Sequence, residues 1–322
     1  ILLMEENYRS REPILDAANR FVARNRYRRP KTIQPTQGAG EPLQIVTVRR
    51  RADQLPFLFE TAQNCETGTA VLFRNHESAL PIIDLCERRG VPYGCKNIDP
   101  TFFSNKIVRD VVDIFALAAR PADADVFLRC YYKFGVPVTK VQALYACSQA
   151  RQYGQGCWTA LLNEDSIRPR IRAAMADVAH GLARLPRMAA DDAMRFVADE
   201  LGYGKYLDKK GMDRTKLAVL EMLGAQEDSP AHLLKRLEIL RGIVQDHITP
   251  PGCRFILSTI HSAKGLEYDR VILLDVLDGI LPAKPELACR TPGETQQYEE
   301  DRRLFYVAMT RAACRLVLVV PQ

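Results

Sequence analysis

The stretch that decides the fold covers residues 299–320 and reads EEDRRLFYVAMTRAACRLVLVV. Its first half predicts a helix over residues 299–309, because Leu304, Val307 and Ala308 recur on one face. The three acids at its start are expected to lie in the first turn, where they complement the helix dipole. Residues 315–320 predict a buried strand, because every residue after Arg315 in this range is apolar. Arg311 lies between the two elements, where its side chain can project toward a neighbouring surface.

The same alternation of strands and helices occupies both ends of the chain. Strands are predicted at residues 44–48, 70–73, 91–93, 254–260 and 270–276, and helices at residues 11–25 and 77–89. Ser10 is the expected cap of the first helix, and Gly90 the expected left-handed cap of the second. Such an alternation builds a parallel sheet flanked by helices, so the predicted fold class is α/β.

Residues 104–250 differ from both ends because they show helical periods and no strong strand. Helices are predicted at residues 106–119, 124–133, 140–150, 167–185, 190–201, 215–223 and 231–245, with glycine and proline at the joints. The sequence therefore predicts an α/β domain made of residues 1–103 and 251–322. An all-helical insertion domain over residues 104–250 interrupts it.

Composition narrows the class of protein. No apolar run approaches the roughly 20 residues that a membrane-spanning helix needs, so no membrane partner is expected. The nine cysteines form no C-x-x-C pair, which argues against a zinc site and fits a reducing cytoplasm. The net charge of +6 permits nucleic-acid binding without requiring it. A basic run at residues 20–31 is read either as a phosphate contact or as a solvated helix end.

Two further segments carry chemistry. Asn7-Tyr8-Arg9-Ser10 places an aromatic ring beside a guanidinium, which suits stacking on a base and gripping phosphate, although a buried tyrosine and a surface arginine would look the same. Residues 259–269 read TIHSAKGLEYD and lie between two predicted strands. Polar groups there are expected at the carboxyl end of a strand, where open α/β sheets bind ligands.

Together these segments resemble motifs four, five and six of superfamily 1 helicases of the UvrD/Rep/PcrA group. The matching strings are Asn-Tyr-Arg-Ser, Thr-x-His-x-Ala-Lys-Gly-Leu-Glu and Glu-Glu-x-Arg-Arg-Leu-x-Tyr-Val-x-Met-Thr-Arg-Ala, in the order found in the family. The resemblance implies that the α/β part is a second RecA-like, P-loop NTPase-like motor domain and that the helical part is its insertion. It further implies an ATP-dependent DNA helicase or translocase, moving 3′ to 5′ as the family usually does.

The resemblance also assigns roles to individual residues. Tyr8 would stack on adenine, Arg9 and Arg311 would reach the γ-phosphate, and Glu267 would hold the ribose. Arg9 and Arg311 would then be the catalytic pair, acting as arginine fingers do. Single-stranded DNA would contact Thr259, His261, Lys264, Arg74 and Asn75. For Lys264, a DNA phosphate contact and a bracing ion pair remain equally open.

Other features bear on partners and on rival interpretations. The sequence contains no G-x-x-x-x-G-K-[ST] loop, so ATP and its Mg²⁺ are expected to be held mainly by a missing N-terminal RecA-like domain. The fragment alone is not expected to hydrolyse ATP. Residues 133–140 resemble a helix-hairpin-helix loop, which would contact duplex DNA, although Pro137 removes one backbone donor. The alternatives are an AddA- or RecB-like helicase–nuclease subunit and a non-enzymatic DNA-binding or docking remnant.

Overall fold

The structure is a computed structural model that describes residues 6–26, 33–95 and 98–322. The chain divides into two compact units, which are residues 1–99 with 246–322, and residues 100–245. The first unit therefore contains both ends of the chain, and the second is inserted into it.

All strands of the described chain lie in the first unit. They are β1 (Glu6–Asn7), β2 (Gln34–Pro35), β3 (Gln44–Val48), β4 (Thr69–Phe73), β5 (Gly94–Cys95), β6 (Phe255–Thr259), β7 (Tyr268–Leu273) and β8 (Ala312–Pro321). Strands β1 and β2 form a separate parallel pair. The other six form one sheet in the order β3-β8-β7-β4-β6-β5, and every pairing is parallel.

Helices occur in both units of the described chain. In chain order they are α1 (Glu12–Val22), α2 (Gln54–Gln63), α3 (Leu80–Arg89), α4 (Thr101–Ser104), α5 (Lys106–Ala119), α6 (Ala124–Cys130), α7 (Lys140–Tyr153), α8 (Cys157–Leu162), α9 (Pro169–Arg184), α10 (Ala190–Asp199), α11 (Tyr203–Lys209), α12 (Thr215–Gly224), α13 (Pro230–Asp246) and α14 (Pro292–Met309). Short 3-10 helices occur at Arg51–Asp53, His76–Ala79, Tyr131–Lys133, Leu185–Arg187 and Glu286–Ala288.

The core of the first unit lies between the sheet and the helices α1 and α14. Ile14 of α1 and Ala308 of α14 pack with Leu72, Val271 and Leu316 of three neighbouring strands, all of them buried. Strand β4 is buried along its whole length, as a central strand of a parallel sheet must be. The predicted α/β class, a RecA-like parallel sheet flanked by helices and interrupted by a helical insertion, is confirmed.

Most predicted strands are confirmed, but the short strand predicted to begin at residue 91 begins at Gly94 instead. The strand at that place is β5, which pairs with Ile256 and Leu257 of β6. Val91 instead donates its N–H to the carbonyl of Cys86, closing α3 after the left-handed Gly90, which is confirmed as the cap. Gly94 is required because a Cβ there would lie 2.5 Å from the side chain of Ile256. The pattern of apolar residues in the sequence gives no sign that the backbone at Gly94 lies so close to Ile256.

The helix that precedes β8 begins at Pro292, seven residues before the predicted start at 299. Thr291 accepts from the N–H of Glu294, and the carboxylate of Glu294 accepts from the N–H of Thr291, which is a capping box. The inference that Glu299 lies in the first turn is therefore wrong. Glu299 is buried and accepts the backbone N–H of Arg26. The polar first turns of α14 have no apolar period and so escaped prediction.

The predicted role of Ser10 as the cap of α1 is also wrong. The N-cap is Arg11, and no side chain caps this helix. The Ser10 hydroxyl is fully buried and has no hydrogen-bond partner among the described residues. Residues 27–31 of the predicted basic run lie outside the described residues.

The second unit, described throughout, contains helices and no strand. The seven predicted helices are confirmed with ends shifted by a few residues, whereas α4, α8 and α11 were not predicted. At its centre the ammonium of Lys133, only 1% exposed, donates to the carboxylate of Asp110 at 2.7 Å. The Tyr203 hydroxyl donates to the same carboxylate at 3.0 Å. Nowhere in the described chain is a helix long and apolar enough to cross a bilayer.

Candidate functional site

The crossover at residues 260–267 connects the two opposite ends of the parallel strands. The end at which the strands finish is called the carboxyl edge below, and the end at which they begin is called the amino edge. The crossover leaves the carboxyl end of β6 and enters the amino end of β7, and β4 lies between these strands. The expectation that the polar groups of this segment lie at the carboxyl end of a strand is therefore confirmed for His261 and wrong for Glu267. His261 follows β6 at the carboxyl edge, whereas Glu267 precedes β7 at the amino edge. A six-residue strand such as β7 separates the edges by about 20 Å.

Arg9 and Glu267 meet at the amino edge, although they are 258 positions apart in sequence. Arg9 donates from Nε to a carboxylate oxygen of Glu267 at 2.7 Å. It also donates from Nη1 to the carbonyl of Thr310 at 3.5 Å. The side chain of Arg9 is 28% exposed and that of Glu267 is 65% exposed. The pair is therefore accessible to a ligand.

Arg311 lies beside this pair and is held by oxygen atoms of its own surroundings. It donates to the carbonyls of Val307 at 3.0 Å and Leu266 at 3.2 Å, and to the hydroxyl of Thr310 at 3.3 Å. Burial lowers the pKa of Arg311, and the nearby positive charge of Arg9 lowers it further. Two guanidinium groups from opposite ends of the chain thus converge on one place.

The loop that carries Arg9 is fixed by Asn7, a residue to which sequence reasoning gave no separate role. The side-chain oxygen of Asn7 accepts the backbone N–H groups of Arg9 at 2.9 Å and Ser10 at 2.8 Å. The N–H of Arg11 donates to the carbonyl of Ala313 in β8 at 3.0 Å. These bonds attach the loop to the start of the strand that follows Arg311.

Tyr8 extends from the same loop and is 68% exposed. Its hydroxyl donates to the carboxylate of Glu6, and this contact raises the pKa of Tyr8. The backbone carbonyl of Tyr8 accepts from the side chain of Gln37 at 2.6 Å. The ring face is therefore free to stack while the backbone beneath it is held.

A second group of residues lies at the carboxyl edge, where β4 and β6 end side by side with Phe73 opposite Thr259. Burial lowers the pKa of His261, and the charges of Arg74, Lys264 and His76 lower it further. The neutral form of His261 is thereby favoured. The group offers cations and an imidazole to a polyanion. Sequence reasoning missed His76, although it lies two positions after Arg74.

The remaining predicted DNA residues are placed unequally. The Thr259 side chain is buried, and its oxygen accepts the N–H of Ser262 at 3.1 Å, so the hydroxyl shapes the turn and does not face solvent. Asn75 is half-buried and precedes a 3-10 helix. Lys264 is exposed and pairs with no carboxylate of the described residues.

The helix-hairpin-helix resemblance falls on a turn between the 3-10 helix that ends at Lys133 and the helix α7. Lys133 cannot contact a phosphate there, because its ammonium is buried against Asp110. The loop instead borders a cleft of about 690 Å³ whose far side carries Lys205, Lys209 and Lys210 of α11 and its end. These lysines were missed, although their spacing beside two tyrosines was visible in the sequence.

The described residues contain no group of histidine, cysteine or acidic side chains that could hold a metal ion. The amino-edge group is cationic, with two guanidiniums to one carboxylate, and so fits a phosphate group and not a metal. Any Mg²⁺ accompanying a nucleotide would therefore need other ligands.

The parallel sheet, the helical insertion and the paired arginines define a RecA-like α/β domain of the superfamily 1 kind. The family model described as UvrD-like helicase C-terminal domain matches residues 2–153 and 225–322. This chain belongs to that family.

Proteins similar to the chain include UvrD1 of Mycobacterium tuberculosis strain H37Rv, which is 27% identical over 98% of the chain and 45% of its own length. PcrA of Bacillus subtilis is 25% identical over 99% of the chain and 46% of its own length. Rep of Buchnera aphidicola subsp. Schizaphis graminum is 23% identical over 97% of the chain and 51% of its own length. All three are named ATP-dependent DNA helicases. The chain thus spans about half the length of these relatives.

Proposed function

We propose that this chain is the C-terminal half of an ATP-dependent DNA helicase or translocase, and that it supplies phosphate-sensing arginines and DNA contacts. The observation that carries the proposal is the convergence of Arg9 and Arg311 beside Glu267. An N-terminal RecA-like domain of the same protein would hold ATP and its Mg²⁺, the ion supplying charge neutralisation on the phosphates. Alone, this half would not hydrolyse ATP.

The arginines act on a nucleotide that lies between this α/β domain and the N-terminal RecA-like domain. Arg9 and Arg311 donate to the γ-phosphate oxygens as negative charge develops on them. The exposed ring of Tyr8 stacks on the base, and Glu267 accepts from a ribose hydroxyl. Because Asn7 holds the backbone that carries Arg9 and nearby carbonyls orient the guanidinium of Arg311, little movement of the backbone accompanies the reaction.

Single-stranded DNA is bound at the opposite edge of the sheet. Arg74, His261 and Lys264 contact phosphates and bases there, with Asn75 beside them, and Thr259 shapes the turn that presents His261. One sheet carries both the nucleotide-binding arginines and the DNA-binding residues. When the two RecA-like domains close on the nucleotide, the DNA-binding residues therefore move as well. Repeated closure and opening then advance the protein along a strand, in the 3′-to-5′ direction that the resemblance implies.

The helical unit binds duplex DNA through the cleft beside its hairpin loop. The lysines of α11 neutralise phosphates, which is the main source of affinity for DNA. Nine free cysteines support a reducing compartment such as the cytoplasm. A purely DNA-binding remnant is disfavoured, because the paired arginines lie at the edge away from the basic group.

The test uses the full-length protein with Arg9→Ala or Arg311→Ala. We expect either change to reduce DNA-stimulated ATP hydrolysis by about 10³-fold or more, while the affinity for a single-stranded oligonucleotide stays within twofold (~0.4 kcal/mol). Arg315→Ala is the matched control, because Arg315 lies on β8, the strand that follows Arg311, but pairs with Glu41 at the surface. Unchanged hydrolysis in both arginine variants would disprove the proposed role.

A further inference from the structure

The charges at the amino edge do not balance. Arg9 pairs with Glu267, whereas Arg311 donates only to carbonyl and hydroxyl oxygens. No second carboxylate of the described residues hydrogen-bonds to either guanidinium. The depressed pKa of Arg311 has the proximity of Arg9 among its causes. The group therefore carries one uncompensated positive charge and retains a single internal anion, the carboxylate of Glu267.

Glu267 accepts from Nε of Arg9, one of the two donors on the side edge of the guanidinium, which could otherwise bind a phosphate with two parallel bonds. The bond runs from Nε, and the Nη1 atom is directed toward the carbonyl of Thr310 at 3.5 Å. A guanidinium grips phosphate best with two parallel donors. Arg9 must leave the carboxylate before it can offer Nε together with a second N–H.

We propose that Glu267 is a positioning residue that holds Arg9 in the empty site and releases it only to a third phosphate. This inference rests on the proposed function. A diphosphate does not reach Arg9, so the Arg9–Glu267 pair persists when a diphosphate is bound. A triphosphate replaces the pair with its own contact to Arg9. The pair therefore opposes triphosphate binding alone and sets how strongly the site prefers a triphosphate to a diphosphate.

The exposure of Glu267 sets how strongly the Arg9–Glu267 pair affects the preference for a triphosphate over a diphosphate. Glu267 is 65% exposed, and exposed ion pairs contribute little because solvent and salt screen them. Removing the carboxylate charge is expected to raise the preference for triphosphate by about two- to fivefold. The change leaves the fold intact, because Glu267 lies at the surface and contacts no core residue in its described hydrogen bonds.

The experiment measures the dissociation constants of ADP and of the β,γ-imido analogue of ATP on the full-length protein. The variants are Glu267→Gln, Arg9→Ala and the double variant. The glutamine keeps an oxygen that can accept from a ribose hydroxyl. The ratio of the two constants cancels any contact common to both nucleotides, such as that to the ribose.

In Glu267→Gln we expect the ADP-to-analogue ratio to rise by two- to fivefold, about 0.4–1 kcal/mol. In the Arg9→Ala background the same change is expected to leave the ratio unaltered, because no guanidinium remains to be released. An equal weakening of both nucleotides, with an unaltered ratio, would overturn the inference and leave the ribose contact of the proposed function standing. A wild-type protein that binds neither nucleotide would overturn both.

Discussion

The backbone N–H of Tyr268 donates a 3.0 Å hydrogen bond to the carbonyl of Arg311. Tyr268 begins β7 and Ala312, its partner in the ladder, begins β8. Glu267 and Arg311 each lie one residue before these starts. The distance between Glu267 and Arg311 is therefore set by the register of the sheet and not by a loop. Arg9 joins them because its loop is bonded to Ala313 of the same strand.

Asn7 is expected to contribute to ATP hydrolysis, although less than Arg9 does, because it positions the loop and contacts no nucleotide in the proposal. Asn7→Ala removes the oxygen that accepts two backbone N–H groups. Two lost hydrogen bonds correspond to a loss of roughly tenfold to thirtyfold in rate, measured as DNA-stimulated ATP hydrolysis by the full-length protein. Asn7→Asp keeps the accepting oxygens and is expected to stay within about threefold of wild type. Equal activity of the alanine variant and wild type would rule out this role.

The sequence was sufficient to predict the α/β class and the helical insertion, because apolar strands and helical periods dominate those segments. Arg9 and Arg311 could be assigned to the nucleotide only through the resemblance. The residues beside each of them in the sequence do not distinguish it from a surface arginine. The convergence of Arg9 and Arg311 is a property of strand register, which residue patterns do not encode. For the same reason the segment at residues 259–269 was assigned to one edge of the sheet, although its two ends lie at opposite edges.

Local patterns failed where tertiary contacts decide. The polar start of α14 folds because Thr291 and Glu294 cap it, not because it has an apolar face. Ser10 is a residue type that often caps helices, yet it is buried. The side chain of Asn7 instead accepts the backbone N–H groups of Arg9 and Ser10. The loop at residues 133–140 resembles a helix-hairpin-helix loop, but its first residue, Lys133, is buried and donates to Asp110, which also accepts from Tyr203.

DNA affinity is expected to depend on the protonation of His261. Burial and the charges of Arg74, Lys264 and His76 lower the pKa of the free protein's His261. A DNA phosphate offsets those charges and raises that pKa, so binding takes up a proton. Affinity therefore rises, by about threefold, as the pH falls through the pKa of the bound state.

The measurement is the affinity of the full-length protein for a single-stranded oligonucleotide between pH 8 and pH 5. His261→Gln is expected to lose this part of the pH dependence, whereas His232→Gln, at an exposed position of α13, is expected to keep it. Identical pH profiles for wild type and His261→Gln would contradict the placement of DNA at the carboxyl edge.

The cap of α14 gives a stability prediction. Thr291→Ala removes the oxygen that accepts the N–H of Glu294 and is expected to lower the free energy of unfolding by about 1 kcal/mol. Lys284, followed by the backbone N–H groups of Arg290 and Thr291, lowers the pKa of Glu294 from 4.5 to about 2. This carboxylate contributes stability above its unfolded pKa, and the contribution is lost as the pH falls from 4.5 toward 2.

Urea denaturation of the chain, followed by circular dichroism at pH 6 and pH 3, checks both parts. Glu294→Gln should lose less stability between these pH values than wild type does. Glu300→Gln, a change on the exposed side of the same helix, serves as the control. A wild type and a Glu294→Gln variant with equal pH dependence would exclude the carboxylate as the source.

The lysines that border the cleft beside the loop at residues 133–140 give a prediction for duplex binding. Lys209 and Lys210 are exposed and border the cleft of the second unit. If each neutralises one phosphate, replacing both by alanine releases about two fewer counterions, and the slope of log K against log salt falls by about 1.8. The measurement is a salt titration of full-length protein with a blunt duplex. Arg168→Ala with Arg170→Ala removes the same charge from the exposed start of α9 and should leave the slope within about 0.5 of wild type. Equal slopes for the two double variants would mean that the duplex binds elsewhere, because the cleft lysines would then contribute only through net charge.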